Sequence, residues 1–377
     1  MHGWIEDLRE LSIKDRLRVV GMMSGTSFDG VDVAILDIRG SFTDVEFDVL
    51  GLHFHPYPEE LRYSISSFLE APSVEGLSEL DIPVALEHVK AYEDALDSSG
   101  VPEKSIDLIS MHGQTLWHSP RKMSIQVGNP DLVAVETGKF VVSDFRRKDI
   151  ALGGEGAPIT PYVDHCVFGR SGKVIALNNI GGMSNVTLVT GDVSNVLAFD
   201  TGPGNALIDI VAKRYFGLDY DPDGEIALSG NVMEDEAVKV LESDDYIRKP
   251  PPKSTGKERY NADFLKRFNI SDPHDLMATV TYYTALTIKV SYDMFLKPKP
   301  SVVYFSGGGV KNRALMGFIE ELLDIRVLKF SERFSDFKEA MWFAVLGSEF
   351  LRSEFSNIPS VTGARDWGLL GRLSVPR

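Results

Sequence analysis

Residues 21–35 read GMMSGTSFDGVDVAI, two apolar, strand-like runs on either side of a loop made almost entirely of Ser, Gly, Thr and Asp. Asp29-Gly30 has the composition of a tight type I′ hairpin turn, since Gly tolerates the positive φ that such a turn demands. The small residues before it, Ser24, Gly25, Thr26 and Ser27, leave backbone N–H groups uncovered. A phosphate could approach them closely and be held by several donors at once. The same residues would also suit an ordinary hairpin with a polar tip, and this segment alone does not choose between the two readings.

A second stretch of the same design shifts the balance. Residues 174–189, VIALNNIGGMSNVTLV, again run strand, small polar loop, strand, with Gly181-Gly182 at the bend. The chain thus reads as two related halves, each opening with a loop-tipped hairpin. Later, Ser306-Gly307-Gly308-Gly309 follows the apolar run 302–305 and precedes a helical pattern over 310–319. Two such hairpins with a late strand, Gly-Gly-Gly, helix element resemble the actin-like sugar kinase and Hsp70 ATPase superfold. That resemblance implies an α/β protein of two domains with an interdomain nucleotide and substrate cleft. The hairpins would close on the nucleotide phosphates, and the late glycines would lie against the adenosine.

Composition agrees. With 377 residues and 43% hydrophobic, the chain is long enough to bury two cores. Its 39 basic and 55 acidic residues leave a net charge of −16. That balance argues against a nucleic-acid partner, which needs a basic face to neutralise phosphates. An anionic substrate must then be held by a few local cations. One cysteine, Cys166, excludes an internal disulfide and a Cys-rich metal site, as expected for a cytoplasmic protein, and reads as a small buried apolar residue. The first residues suggest an amphipathic helix and lack the apolar core of a signal peptide. No apolar run approaches the ~20 residues that span a bilayer.

The pattern predicts strands at 18–23, 31–38, 47–53 and 106–111, with helices over 58–69 and 81–98. The second half repeats this loosely: strands at 174–177, 186–189 and 196–199, then a helix over 205–215. Residues 217–252 are the least regular, and 249–253, with three prolines, read as loop. Long helices are expected over 275–295 and 338–351. The expected division is domain I over 1–145, domain II over 146–340, and a C-terminal helix over 341–377 returning to domain I.

Three polar clusters carry chemistry. His112-Gly113-Gln114-Thr115 is placed directly after a strand, and His112 suits either a proton shuttle or a structural histidine satisfied by backbone. Asp144-Phe145-Arg146-Arg147-Lys148-Asp149 runs into the Gly-rich loop 153–158. It reads either as a solvated ion-pair cluster or as a fork for a carboxylate, since guanidinium pairs carboxylate bidentately. Phe199-Asp200-Thr201-Gly202-Pro203-Gly204-Asn205 is the best candidate for the reacting centre. Here a strand delivers Asp200, and a tight turn leads to a helix whose first amides could face an anion. Asp200 suits a general base, and also a helix cap or a Mg2+-water ligand.

The segments MSGTSFDGVD, HGQT, QVGNP, DFRRKD with GGEGAP, NNIGG, FDTGPGN, SGGGVKN and EAMWFA occur in the order seen in anhydro-N-acetylmuramic acid kinases. The chain resembles that family from Gly21 to about Gly347. The resemblance implies a cytoplasmic, ATP- and Mg2+-dependent kinase of cell-wall recycling. Such an enzyme opens the 1,6-anhydro bond of anhydro-N-acetylmuramic acid with water while phosphorylating O6. By the same resemblance Asp200 is the base and Glu339 orients the water. ATP would meet Gly25, Thr26, Ser27, Phe28, Asp29, Gly30, Val31, Asp32, Gly181, Gly182, Gly307, Gly308, Gly309 and Asn312. The sugar would meet His112, Gln114, Asp144, Arg146, Arg147, Asp149, Gly204 and Asn205. A homodimer stays open, and the direct Mg2+ ligands are unassigned. Two positions depart from the family pattern. Ser306 stands where Cys is frequent, and Glu155 replaces the usual Gln, where its charge would repel an anionic sugar unless turned away or paired with Arg146 or Arg147. Two other readings are a kinase for an ordinary sugar hydroxyl and a non-catalytic ATP-driven binding module. The HGQT and DFRRKD clusters, which form a polar small-molecule pocket, weigh against the latter.

Overall fold

The computed structural model describes residues 3–25 and 27–376. Its strands are β1 (Arg16–Ser24), β2 (Gly30–Arg39), β3 (Glu46–Pro56), β4 (Leu108–Ser119), β5 (Met123–Val127), β6 (Phe140–Ser143), β7 (Ile175–Ile180), β8 (Met183–Val189), β9 (Leu197–Pro203), β10 (Val302–Ser306), β11 (Arg326–Lys329) and β12 (Arg372–Ser374). They fall into two compact units, Met1–Arg170 with Asp336–Arg377, and Ser171–Ser335.

In the first unit the sheet order is β12-β6-β4-β1-β2-β3, with β5 paired to β4. In the second it is β11-β10-β7-β8-β9. Each contains the same five-strand pattern: an antiparallel meander (β1-β2-β3; β7-β8-β9) whose first strand pairs in parallel with a fourth, itself parallel to a fifth. This repeated topology is that of the actin-like ATPase fold, so the duplication read from the two hairpins extends through both sheets.

Sequence and packing explain the helices that matter for the site. Helix Val74–Ser99 is capped by Ser73, whose side chain accepts from the Gly76 amide, and ends at Gly100 in the left-handed region. Its apolar residues Leu80, Val84, Ala91 and Ala95 join Val20, Val31 and Val33 of the first sheet in one core. Helix Glu332–Leu351 begins in the second unit and continues into the first. In the first unit a Cβ on Gly21 would lie 2.0 Å from the Ala340 carbonyl oxygen, and one on Gly347 2.5 Å from the Ser110 Cβ. Helix and sheet therefore come into close contact at two glycines, which only residues without a Cβ allow. In the second unit, helix Pro273–Phe295 supplies Met277, Val280, Tyr283 and Ile288 to a core shared with Ile180, Val186 and Phe199.

Residues 146–170 group with the first unit. Buried polar contacts hold them there: Asp149 Oδ1 accepts from Asn357 and Thr362, and Tyr162 donates to Glu349 Oε2 at 2.7 Å. The N-terminal helix, Trp4–Ile13, forms as the pattern predicts but buries none of its side chains. No helix among the described residues is long and apolar enough to cross a membrane.

Candidate active site

The first hairpin differs in detail from its sequence reading. The loop joining β1 to β2 covers residues 25–29, and Gly30 already belongs to β2, opposite Pro56 of β3. A Cβ on Gly30 would lie 2.2 Å from the His55 carbonyl oxygen. Gly30 is thus demanded by its neighbour strand, while the positive φ of this loop falls on Phe28, at 54°. A Cβ on Gly25 would meet only Ser27 Oγ, at 3.6 Å, so that face of the loop is open. Gln114 Nε2 donates to the Gly25 carbonyl at 3.0 Å, and Ser27 Oγ donates to Asp29 at 2.6 Å. Val31 is fully buried core. Thr26 lies outside the described residues.

Asp32 is half-buried on β2. Burial first, then repulsion from Asp29, Glu339 and Asp336, raises its carboxyl to about 7. Gly21 lets the helix bearing Asp336 and Glu339 settle on the sheet that carries Asp32. Glu339 itself keeps solvent access, yet dense protein around it pushes its carboxyl up, against the opposing pull of Arg146 and Lys338.

His112 to Thr115 lie inside the long strand β4, where the pairing of β1 gives way to that of β5. The buried His112 ring bonds the Gly113 carbonyl through Nδ1 at 2.9 Å and accepts from Arg146 Nε at Nε2, also 2.9 Å. Burial and the adjacent guanidinium hold this imidazole well below its ordinary value. With both nitrogens engaged, His112 orients Arg146. Arg146 also donates from Nη1 to the Gly156 carbonyl at 3.0 Å, which ties it to the Gly-rich loop.

The two neighbouring arginines separate. Arg147 is exposed and pairs with Asp144 at 3.6 Å, and Asp144 also meets Arg372 at 3.2 Å. Asp144 and Arg147, with Met111, His112 and Arg372, line a cavity of about 390 Å3. Burial raises the Asp144 carboxyl despite both arginines, and its Oδ1 is buried without a hydrogen-bond partner. Asp149 is fully buried and accepts from the Gly156 amide at 2.8 Å, so it shapes the loop. Glu155 lies 3.7 Å from Arg121, so it pairs with neither Arg146 nor Arg147. Gln114 is also fully buried, with its Oε1 unpartnered among the described residues.

In the second unit, Gly181-Gly182 form the two-residue turn between β7 and β8. Their carbonyls accept the amides of Gly204, Asn205 and Ala206. The first amide of helix Ala206–Val211 is therefore taken up by the hairpin, together with the two amides that precede the helix. Gly307 and Gly309 approach Asn179 and Ile180, and a Cβ on Gly308 would lie 3.9 Å from Asn205 Nδ2. The hairpin tip, residues 204–205 and the Gly turn thus gather at one end of this sheet. Ser306 donates to Asn179 Oδ1 at 3.2 Å, and Asn312 caps helix Arg313–Leu322 through the Leu315 amide.

Asp200 lies within β9 rather than at its end, since the strand continues to Pro203 past a bulge where Gly202 has φ 141°. Its Oδ2 accepts from the Thr255 amide at 2.8 Å, and its own amide bonds the Lys253 carbonyl at 3.2 Å. Burial raises its carboxyl to about 6, while the Thr255 amide and Lys253 act in the opposite sense. Lys253 is pegged by the Tyr246 and Ile247 carbonyls and sits over the rings of Phe199, Tyr246 and Phe295. Its ammonium is lowered to about 8 by burial. Sequence reading missed Lys253 and Thr255, whose only signal was the proline-rich stretch 249–253.

Residues 17–376 match the family anhydro-N-acetylmuramic acid kinase. A curated relative of that name from Francisella tularensis subsp. novicida is 37% identical over 373 residues, covering 94% of this chain and 98% of the relative. Another, from Caldanaerobacter subterraneus subsp. tengcongensis, is 36% identical, covering 98% and 99%. Among solved structures, the activator of 2-hydroxyisocaproyl-CoA dehydratase from Clostridium difficile with bound ADPNP aligns over 89% of this chain and 96% of its own, at 10% identity and TM-score 0.43. With full-length matches at this identity, the chain belongs to the anhydro-N-acetylmuramic acid kinase family.

Proposed function

We propose that this ATP-dependent kinase acts on 1,6-anhydro-N-acetylmuramic acid in the cytoplasm, opening the anhydro bridge with water and phosphorylating O6 in one event. The products are N-acetylmuramic acid 6-phosphate and ADP, a step of cell-wall recycling. The observation that carries the reading is Asp200: a half-buried carboxylate, fixed by the Thr255 amide and raised to about 6. Such a group is ionised at neutral pH yet basic enough to take a proton from water. As the water oxygen bonds C1, the C1–O6 bond breaks and O6 takes the γ-phosphoryl group, so no separate acid is needed for the leaving oxygen. The water proton goes to Asp200, and Glu339 helps to orient the water.

Arg146, aimed by His112 and the Gly156 carbonyl, is the stronger choice for the lactyl carboxylate of the sugar. Arg147 is occupied by Asp144. The open backbone at Gly25 and the Gly181-Gly182 turn suit the ATP phosphates. Asp32 is the carboxylate assigned to bound Mg2+, because the repulsion it feels from Asp29, Glu339 and Asp336 is what a divalent cation would relieve. Bound Mg2+ supplies neutralisation of phosphate charge.

The test is incubation with ATP, Mg2+ and the anhydro-sugar in 18O-water. Label at C1 with phosphate on O6 supports the coupled reaction. Unlabelled phosphorylated product identifies plain transfer to an ordinary hydroxyl and removes the ring-opening step.

A further inference from the structure

On the outer strand β3 of the first unit, His53 and His55 stand two residues apart and so project from one face of the sheet. That face meets helix Val74–Ser99, whose Glu87, Asp94 and Ser98 lie seven and four residues apart on one side. His55 Nδ1 is 2.7 Å from Asp94 Oδ2, and His53 Nε2 is 3.9 Å from the same oxygen. One ligand atom from each of the three residues lies within 4.8 Å of the other two.

We propose that His53, His55 and Asp94 form a binding site for a borderline divalent cation such as Zn2+ or Ni2+, separate from the catalytic machinery. Two imidazoles and one carboxylate are the donor set that such ions select, and Mg2+, which demands oxygen ligands, does not. Zn–N bonds of ~2.0–2.1 Å in a tetrahedron set the ligand atoms about 3.3 Å apart. The separations from Asp94 Oδ2, 2.7 and 3.9 Å, bracket that spacing, so small side-chain rotations would complete it.

The outer contacts match as well. A metal-bound histidine donates its second N–H to a carboxylate or another acceptor, which fixes its tautomer. His55 turns Nε2 to Glu87 at 2.8 Å, and His53 turns Nδ1 to Ser98 Oγ at 3.3 Å. Asp94 is exposed and the two imidazoles are partly so, which leaves an entry path and room for water as a fourth ligand. The competing account of the same contacts is a metal-free clamp in which the His55 ring bridges the two carboxylates.

Isothermal titration of the full chain with Zn2+, at constant excess Mg2+, distinguishes them. The metal site requires one equivalent bound, weakened at least tenfold by H53A and by D94N. E87Q, which removes only the outer carboxylate, should weaken it about 10- to 100-fold. Zn2+ should also raise the melting temperature of the wild type but not of D94N. Retained Zn2+ affinity in all three variants would overturn the proposal. So would the absence of stoichiometric binding to the wild type, with H55Q merely lowering the melting temperature, which would establish the ion-pair clamp. H53A alters a partly exposed side chain, so its folding and its kinase turnover serve as the control.

Discussion

The Thr255 amide donates to Oδ2 of Asp200 across 55 residues of sequence, at 2.8 Å. The carboxylate is thereby aimed by a loop through one of its two oxygens. Replacing Asp200 by Asn keeps the shape and an acceptor for Thr255 but removes the proton acceptor. Turnover should fall by about 100-fold or more with little change in KM for ATP, measured by steady-state kinetics. E339Q should give a smaller loss of the same kind.

The pH dependence follows from the raised carboxyl. Activity of the wild type should fall as pH drops through about 6, where Asp200 takes up a proton. Because its folded-state pKa lies above the usual carboxylate value, its contribution to stability is present at low pH and is lost as pH rises through about 6. D200N should therefore melt higher than the wild type above about pH 6. That gain should vanish near pH ~4, as followed by thermal unfolding in both buffers.

Lys253 tunes this group. K253M deletes the neighbouring cation that favours the ionised carboxylate, so the acidic limb of the rate profile should shift to higher pH. Lower turnover with an unmoved limb would reduce Lys253 to a structural peg.

The two arginines should behave differently. R146K loses the planar fork that His112 and Gly156 aim, and should raise KM for the anhydro-sugar by about 10-fold or more. R147K should change it little. Equal effects in sugar titrations would reassign the carboxylate contact.

Two glycines of the first hairpin should separate fold from binding. G25V meets open space and should fold normally while ATP affinity falls sharply. G30A drives a methyl into the His55 carbonyl and should cost about 1–3 kcal/mol of stability, read by denaturant unfolding.

These particulars mark what the sequence could disclose. Both hairpins and the Gly turn before helix Arg313–Leu322 were legible, because strand alternation and turn residues are local signals. The partners of Asp200 were not, since Lys253 and Thr255 reach it only through tertiary packing of a stretch with no periodicity. The contacts of Asp149 and His112 were not legible either, since the Asn357, Thr362 and Gly156 groups around Asp149 and the Arg146 guanidinium on His112 are brought there by the fold. Gly30 was legible as a required glycine, but for the wrong reason: its constraint is steric and comes from β3.

The contact between Gly21 and Ala340 bears on how the enzyme can diversify. Backbone touching backbone leaves no side chain through which small adjustments could accumulate, so the axial position of Glu339 is inherited rather than tunable. Relatives that drift toward other sugars must then explore variation elsewhere, in the Gly-rich loop around Glu155 or the segment bearing Lys253 and Thr255. There a single exchange alters a loop without displacing a helix.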